Sequence, residues 1–301
     1  AAARAEEIAQ LNEQAAQAQA SIEALTAGAA ENAAAIESLS PELNDAQQKL
    51  KNINDVLNPG QAGSSMPLPE DGEEICGFAV KEKRDFPLIG AELVLFEHQK
   101  TGALVMYIAT EDTNRVFDLT FKTRPIDNTG LPHVFEHSTL NGSEKYPSTA
   151  LFMNLAYQTY NTFMNAYTTD AMTYYPIASL SEAQLLKYAD FYTDSCLQPM
   201  VLQDESIFRT EAWRSRMADM DSALTIEGTV YSEMQGAYDI NRAAMLNANG
   251  LAFPGAAIGL CFGGDPDYIP DMTWDALKEY HERFYHPSNS IAYLYGQFDD
   301  Y

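Results

Sequence analysis

Gly130-Leu131-Pro132-His133-Val134-Phe135-Glu136-His137 carries two histidines and a glutamate at the spacing HxxEH, inside a stretch, residues 130–141, that reads as helical. On a helix the positions i, i+3 and i+4 share one face. His133 and His137 can therefore present imidazoles to one cation while Glu136 stands beside it. The pattern inverts the HExxH zinc motif. Imidazole nitrogen suits zinc, and a catalytic zinc keeps three protein ligands with water in the fourth position, the pKa of that water falling to about 7. Glu136 is then the expected general base, taking the water's proton as the carbonyl is attacked and passing it to the leaving group. Two His and one Glu on a helix also describe a plain polar surface. Against that reading, the chain has five histidines, His98, His133, His137, His281 and His286, and two of them stand at this spacing.

Working outward, residues 76–83, 90–98, 102–109 and 115–123 are short runs with β-branched and aromatic residues, separated by Gly, Pro or Asp. They read as strands. Past the HxxEH helix, 148–158 reads as helix, and 161–168 and 171–179 as a strand pair joined near Thr169 and Asp170. Helices are expected over 181–197, 203–216, 227–247 and 272–284, with a returning strand at Ile291 to Tyr295. Neighbouring strands with helices grouped between them predict an α+β fold, a mainly antiparallel sheet with helices packed on it.

Residues 1–58 form a different unit. Ile8, Leu11, Ala15, Ala18, Ile22, Leu25, Ala29, Asn32, Ile36 and Leu39 recur at spacings of three and four, as in a heptad seam, and Leu43, Ala46, Leu50, Ile53 and Leu57 continue it. Pro41 interrupts the run, so Ser40 is expected to cap a second helix. A coiled coil and a helical hairpin both satisfy the pattern. Its many alanines bury little area, so self-association through this segment is expected to be weak. The Pro, Gly and Ser content of 59–74 marks a linker, which leaves 75–301 as the main domain.

Composition narrows the partners. The 301 residues include 43 acidic against 18 basic, a net charge of −25, which opposes a surface built for nucleic acid or anionic lipid. Cys76, Cys196 and Cys261 are too scattered for a disulfide scaffold. No stretch approaches the roughly twenty apolar residues of a membrane span.

The HxxEH segment is one of several blocks that together resemble the pitrilysin/insulinase family of zinc metallopeptidases, and particularly its presequence-protease branch. The blocks run Thr129 to His137, Asn141-Gly142-Ser143-Glu144-Lys145-Tyr146-Pro147, Asn161-Thr162-Phe163-Met164-Asn165-Ala166-Tyr167-Thr168, Tyr231-Ser232-Glu233-Met234-Gln235-Gly236, Gly263-Gly264-Asp265-Pro266 and Tyr285-His286-Pro287-Ser288-Asn289. The resemblance implies one Zn2+ held by His133, His137 and a distal glutamate, which the fourth block places at Glu233 rather than the nearby Glu227. It implies unfolded peptides as substrates, added to the sheet edge by β-augmentation, with Asn165, Ala166 and Tyr167 as the substrate-contacting strand. His286 is expected in a structural turn and not as a ligand. The resemblance covers the first domain of a longer enzyme whose C-terminal half supplies an Arg and a Tyr to the tetrahedral intermediate. The segment alone is therefore expected to bind zinc and cleave weakly or not at all. The acidic composition and the lack of a cysteine framework suit a bacterial protein, secreted, in the cell envelope or cytoplasmic, and analogy with the family adds the mitochondrial matrix.

Two other readings compete. S-ribosylhomocysteine lyases share HxxEH but need a cysteine ligand, here Cys196 or Cys261. A non-catalytic scaffold or peptide-binding subunit could keep the fold, although such relatives tend to lose parts of the metal motif that is whole here.

Overall fold

A computed structural model describes residues 68–298. The helical extension expected over 1–58, and the linker as far as residue 67, lie outside the described residues. The strands are β1 (Glu74–Ile75), β2 (Phe78–Phe86), β3 (Ala91–His98), β4 (Leu104–Ala109), β5 (Arg115–Phe121), β6 (Asn161–Met164), β7 (Tyr167–Thr168), β8 (Thr173–Ser179), β9 (Arg214–Arg216), β10 (Thr225–Glu227) and β11 (Ser290–Gly296). The α-helices are α1 (Leu131–Thr139), α2 (Leu151–Gln158), α3 (Glu182–Leu197), α4 (Glu205–Glu211), α5 (Thr229–Ala237), α6 (Ile240–Ala252) and α7 (Trp274–Phe284).

The main sheet runs β1-β2-β3-β4-β11-β5-β8-β6, with β7 also on β8. Every pairing is antiparallel except β4 with β11, so the mainly antiparallel α+β class is what the chain adopts. The last strand returns to the middle of the sheet and separates β4 from β5.

Side-chain alternation sets the core. Phe117, Leu119 and Phe121 on β5 lie opposite Ile177, Tyr175 and Thr173 on β8, all six buried on one face. Helix α3 covers that face with Leu185, Tyr188, Tyr192, Ser195 and Cys196, a stripe at spacings of three and four. Tyr192 meets Tyr175 with ring centroids 5.9 Å apart. Full burial of one such large side chain contributes about 1.5–3 kcal/mol, so this seam is a main source of the domain's stability.

Three local expectations need correction. The strand expected over 161–168 shifts register between Asn161 and Phe163 and is split into β6 and β7 where Asn165 lies opposite Pro176. Pro176 accepts from the Asn165 amide at 3.2 Å but has no N–H to return, and the Tyr192 hydroxyl donates to the Asn165 carbonyl instead, at 2.9 Å. The helix expected over 203–216 stops at Glu211, and Arg214–Arg216 becomes β9, paired with β10; neither strand was foreseen. Arg214 and Arg216, two apart on one strand, both reach Glu227, at 3.5 and 2.6 Å. The helix expected over 227–247 is two helices. Asp239 accepts from the Arg242 amide at 2.8 Å and so starts α6 afresh.

Candidate metal centre

Helix α1 is buried at every position except His133 and His137. Its neighbours include α7: Phe135 packs on Tyr285 with ring centroids 4.2 Å apart, and on His281 at 5.3 Å. The helix thus opens to solvent only along the i, i+4 stripe that carries the two imidazoles. Gly130 precedes it at φ 79°, in the left-handed region that glycine adopts without penalty. A Cβ on Gly130 would come within 2.5 Å of the Gly264 Cα, so the two glycines let the loop at 263–264 lie against the start of the helix.

That contact has a chemical result. The Gly263 carbonyl lies 3.0 Å from His133 Nδ1, which donates to it and leaves Nε2 as the free lone pair. His137 is held in a similar way, its Nδ1 lying 3.4 Å from Glu211 Oε2. Asn141 fixes that carboxylate by donating to Glu211 Oε1 at 3.2 Å and to the His137 carbonyl at 2.9 Å. The two rings stand nearly perpendicular, at 86°, with centroids 4.9 Å apart.

Glu233, half exposed on α5, faces both Nε2 atoms. Its Oε1 lies 3.8 Å from His133 Nε2 and its Oε2 3.6 Å from His137 Nε2. Ligand atoms of these three residues all fall within 4.8 Å of one another. A tetrahedral zinc with bonds near 2.0–2.1 Å holds its N and O ligands about 3.3 Å apart. The Glu233–imidazole spacings of 3.8 and 3.6 Å are a few tenths of an ångström wider, and two imidazole nitrogens with one carboxylate oxygen are a donor set that suits zinc. Burial works against a charge on His137, but the hydrogen bond to Glu211 and the carboxylates of Glu136, Glu211 and Glu233 outweigh it and raise its pKa. The local surplus of negative charge favours any cation; a proton on His137 and a metal compete for the same site.

Glu136 is 8% exposed, and its carboxylate lies near enough to His137 to help raise the pKa of that imidazole. Its Oε2 accepts from the Thr168 hydroxyl at 2.6 Å, which ties it to β7. Asn165 and Ala166 form the break between β6 and β7, with Asn165 Oδ1 accepting the Ala166 amide at 2.9 Å. The Ala166 side chain is buried, while Tyr167 is partly exposed and stacks on Tyr174 with centroids 5.2 Å apart.

The remaining histidines serve other ends. His286 Nδ1 lies 2.8 Å from Ser288 Oγ in a turn, His281 Nε2 3.1 Å from the Cys196 carbonyl, and His98 Nδ1 2.8 Å from Thr101 Oγ1. Cys196 and Cys261 are buried, burial pushes both thiols up, and neither joins the ligand cluster among the described residues. The cysteine-ligand reading thus finds no support in the geometry.

Sequence reasoning did not single out Glu211, the Gly263 carbonyl or Thr168. Outer partners of metal-binding imidazoles commonly contribute ten- to hundredfold in affinity. Glu211→Gln is therefore expected to weaken zinc binding roughly ten- to hundredfold, read by competition with a chelator of known affinity. An unchanged affinity would show that Glu211 is a bystander.

A family model for insulinase, peptidase family M16, matches residues 124–245. Protein HypA of Clostridium perfringens is 37% identical over 224 residues, covering 74% of this chain and 23% of its own length. Presequence protease 1, chloroplastic/mitochondrial, of Arabidopsis thaliana is 36% identical over 247 residues, 79% of this chain and 23% of the relative. The mitochondrial presequence protease of Mus musculus is 35% identical over 231 residues, 75% and 22%. In structure, crystalline pitrilysin superposes with a TM-score of 0.56 at 18% identity, over 73% of this chain and 23% of pitrilysin, a likeness of fold. The chain spans about a quarter of the length of these relatives. With HxxEH and its distal glutamate inside the matched segment, the chain belongs to the pitrilysin/insulinase family, in its presequence-protease-like branch.

Proposed function

We propose that this chain carries the catalytic domain of a zinc metalloendopeptidase acting on unfolded peptides, with His133, His137 and Glu233 as ligands of one Zn2+ and Glu136 as general base. The observation that carries the reading is the convergence of two Nε2 atoms and the Glu233 carboxylate, with Glu136 next to His137 on the same helix. Zinc bound there supplies a Lewis acid strong enough to make a water give up its proton near neutral pH.

The rest is the work of the chain's own groups. Gly263 and Glu211 hold the imidazoles in the tautomer that turns Nε2 toward the cation. Glu136, buried and acceptor-only when ionised, takes the proton of the attacking water and returns it to the leaving amine of the peptide. β6 is the last strand of the main sheet, so an extended peptide can pair along its outer edge and run toward the metal ligands. Asn165 Oδ1 is committed to the Ala166 amide, which leaves its Nδ2 to donate to a peptide carbonyl. Buried Ala166 keeps the strand thin, and the Tyr167 ring offers an apolar contact beside it. A folded protein cannot present a free extended strand, which favours unfolded peptides. The net charge of −25 favours cationic ones. The C-terminal half found in longer relatives is the proposed partner for stabilising the intermediate. No helix among the described residues is long and apolar enough to cross a membrane.

Metal analysis tests the reading first. The full-length protein is expected to hold one zinc per chain, to lose it on Glu233→Ala, and to stop cleaving an unstructured peptide when a chelator removes the metal. A protein that cannot be loaded with zinc, or that cleaves equally well without it, would rule the reading out.

A further inference from the structure

We propose that Thr168 is a positioning residue for the general base: its hydroxyl holds the Glu136 carboxylate by one oxygen, so that the other is presented to the reacting water. The inference deepens the peptidase reading and rests on it. The contact is short, 2.6 Å from Thr168 Oγ1 to Glu136 Oε2, and half-buried. An ionised carboxylate can only accept, so the single hydroxyl proton of Thr168 is committed to Glu136.

The surroundings support that commitment. Thr168 Oγ1 lies 3.3 Å from Thr173 Oγ1, and Thr173 Oγ1 lies 2.7 Å from Thr123 Oγ1, with Thr173 and Thr123 both fully buried. Because the Thr168 proton is already used, any hydrogen bond in the first of these contacts is donated by Thr173; Tyr285 also hydrogen-bonds Thr173, and Tyr280 hydrogen-bonds Thr123. The hydroxyls of Thr173 on β8, Thr168 on β7 and Thr123 after β5 form one linked set that ends at Glu136. Each donated bond makes the next hydroxyl a better donor. Thr168 also follows Tyr167 on the same short strand, and strand alternation sends the two side chains to opposite faces. The strand proposed to carry the peptide thus also grips the base.

A bond of this kind acts on orientation, and orientation shows in turnover more than in binding. In the full-length zinc-loaded protein, Thr168→Val is expected to lower kcat about tenfold or more, with KM and zinc content unchanged. Thr168→Ser, which restores the hydroxyl, is expected to recover most of the rate. A crystal structure of Thr168→Val should show the Glu136 carboxylate rotated or in two positions. Unchanged kcat with an unmoved carboxylate overturns the inference, as does loss of zinc in Thr168→Val, since the effect would then run through the metal. Should Thr168→Val fail to fold, Thr168→Ala, which only removes atoms, is read by the same criteria. Glu136→Gln serves as the control that separates the two levels. If it cleaves like wild type, the peptidase reading itself falls; if it is dead while Thr168→Val is fully active, only the role of Thr168 falls.

Discussion

Glu136→Gln in the full-length protein is expected to lower kcat for peptide cleavage by about 10²–10⁴, the range that general-base catalysis contributes, while zinc stays at one per chain. The change is nearly isosteric, which matters because Glu136 is buried on a helix with little spare room. The Gln side-chain oxygen can still accept from Thr168, so the position of the side chain survives and only its basicity is lost. KM should move little, because the substitution leaves the sheet edge untouched. The two measurements must be read together: a variant that loses both rate and zinc has lost its cradle. Equal rates for variant and wild type would assign proton transfer to another group.

The sequence disclosed the proposed ligands much better than the groups that orient them. HxxEH is local, so a helix alone brings its three residues onto neighbouring positions. Glu233 was legible only through its block, because nothing in a lone glutamate on α5 marks it as facing two imidazoles. Glu211 ends α4, and its partner Asn141 follows α1; their meeting depends on how the helices pack, which no local pattern encodes. The fold shows the same division. Strong alternation and β-branched runs placed β2 to β5 and β8 within a few residues. The α4–β9 boundary was missed because a helical period continued past Glu211, while the pairing of Arg214 and Arg216 with Glu227 across the hairpin is a tertiary matter. Likewise Pro176 splits β6 from β7 from across the sheet, invisible to a reading of 161–168 by itself.

Gly130→Ala is expected to lower stability by about 2–5 kcal/mol and to weaken zinc binding as well. Two costs add. The left-handed backbone at φ 79° costs an L-residue about 1–2 kcal/mol, and forcing an extra methyl into a packed site costs about 1–3 kcal/mol more. The clash is with backbone on the far side, 2.5 Å to Gly264 Cα and 2.7 Å to Gly264 N, so no flexible side chain can move aside to relieve it. What must move is the loop carrying the Gly263 carbonyl. Its displacement leaves His133 Nδ1 without its acceptor and the ring free to turn. Against a total of roughly 5–15 kcal/mol for a domain, such a loss shifts the denaturation midpoint by several degrees. Thermal unfolding with and without zinc checks both parts at once. The variant should melt lower than wild type in chelator, and zinc should raise its midpoint by less. If zinc stabilises Gly130→Ala as strongly as wild type, the carbonyl at 263 does not govern the His133 ring, and the link between the two glycines and the metal ligands fails.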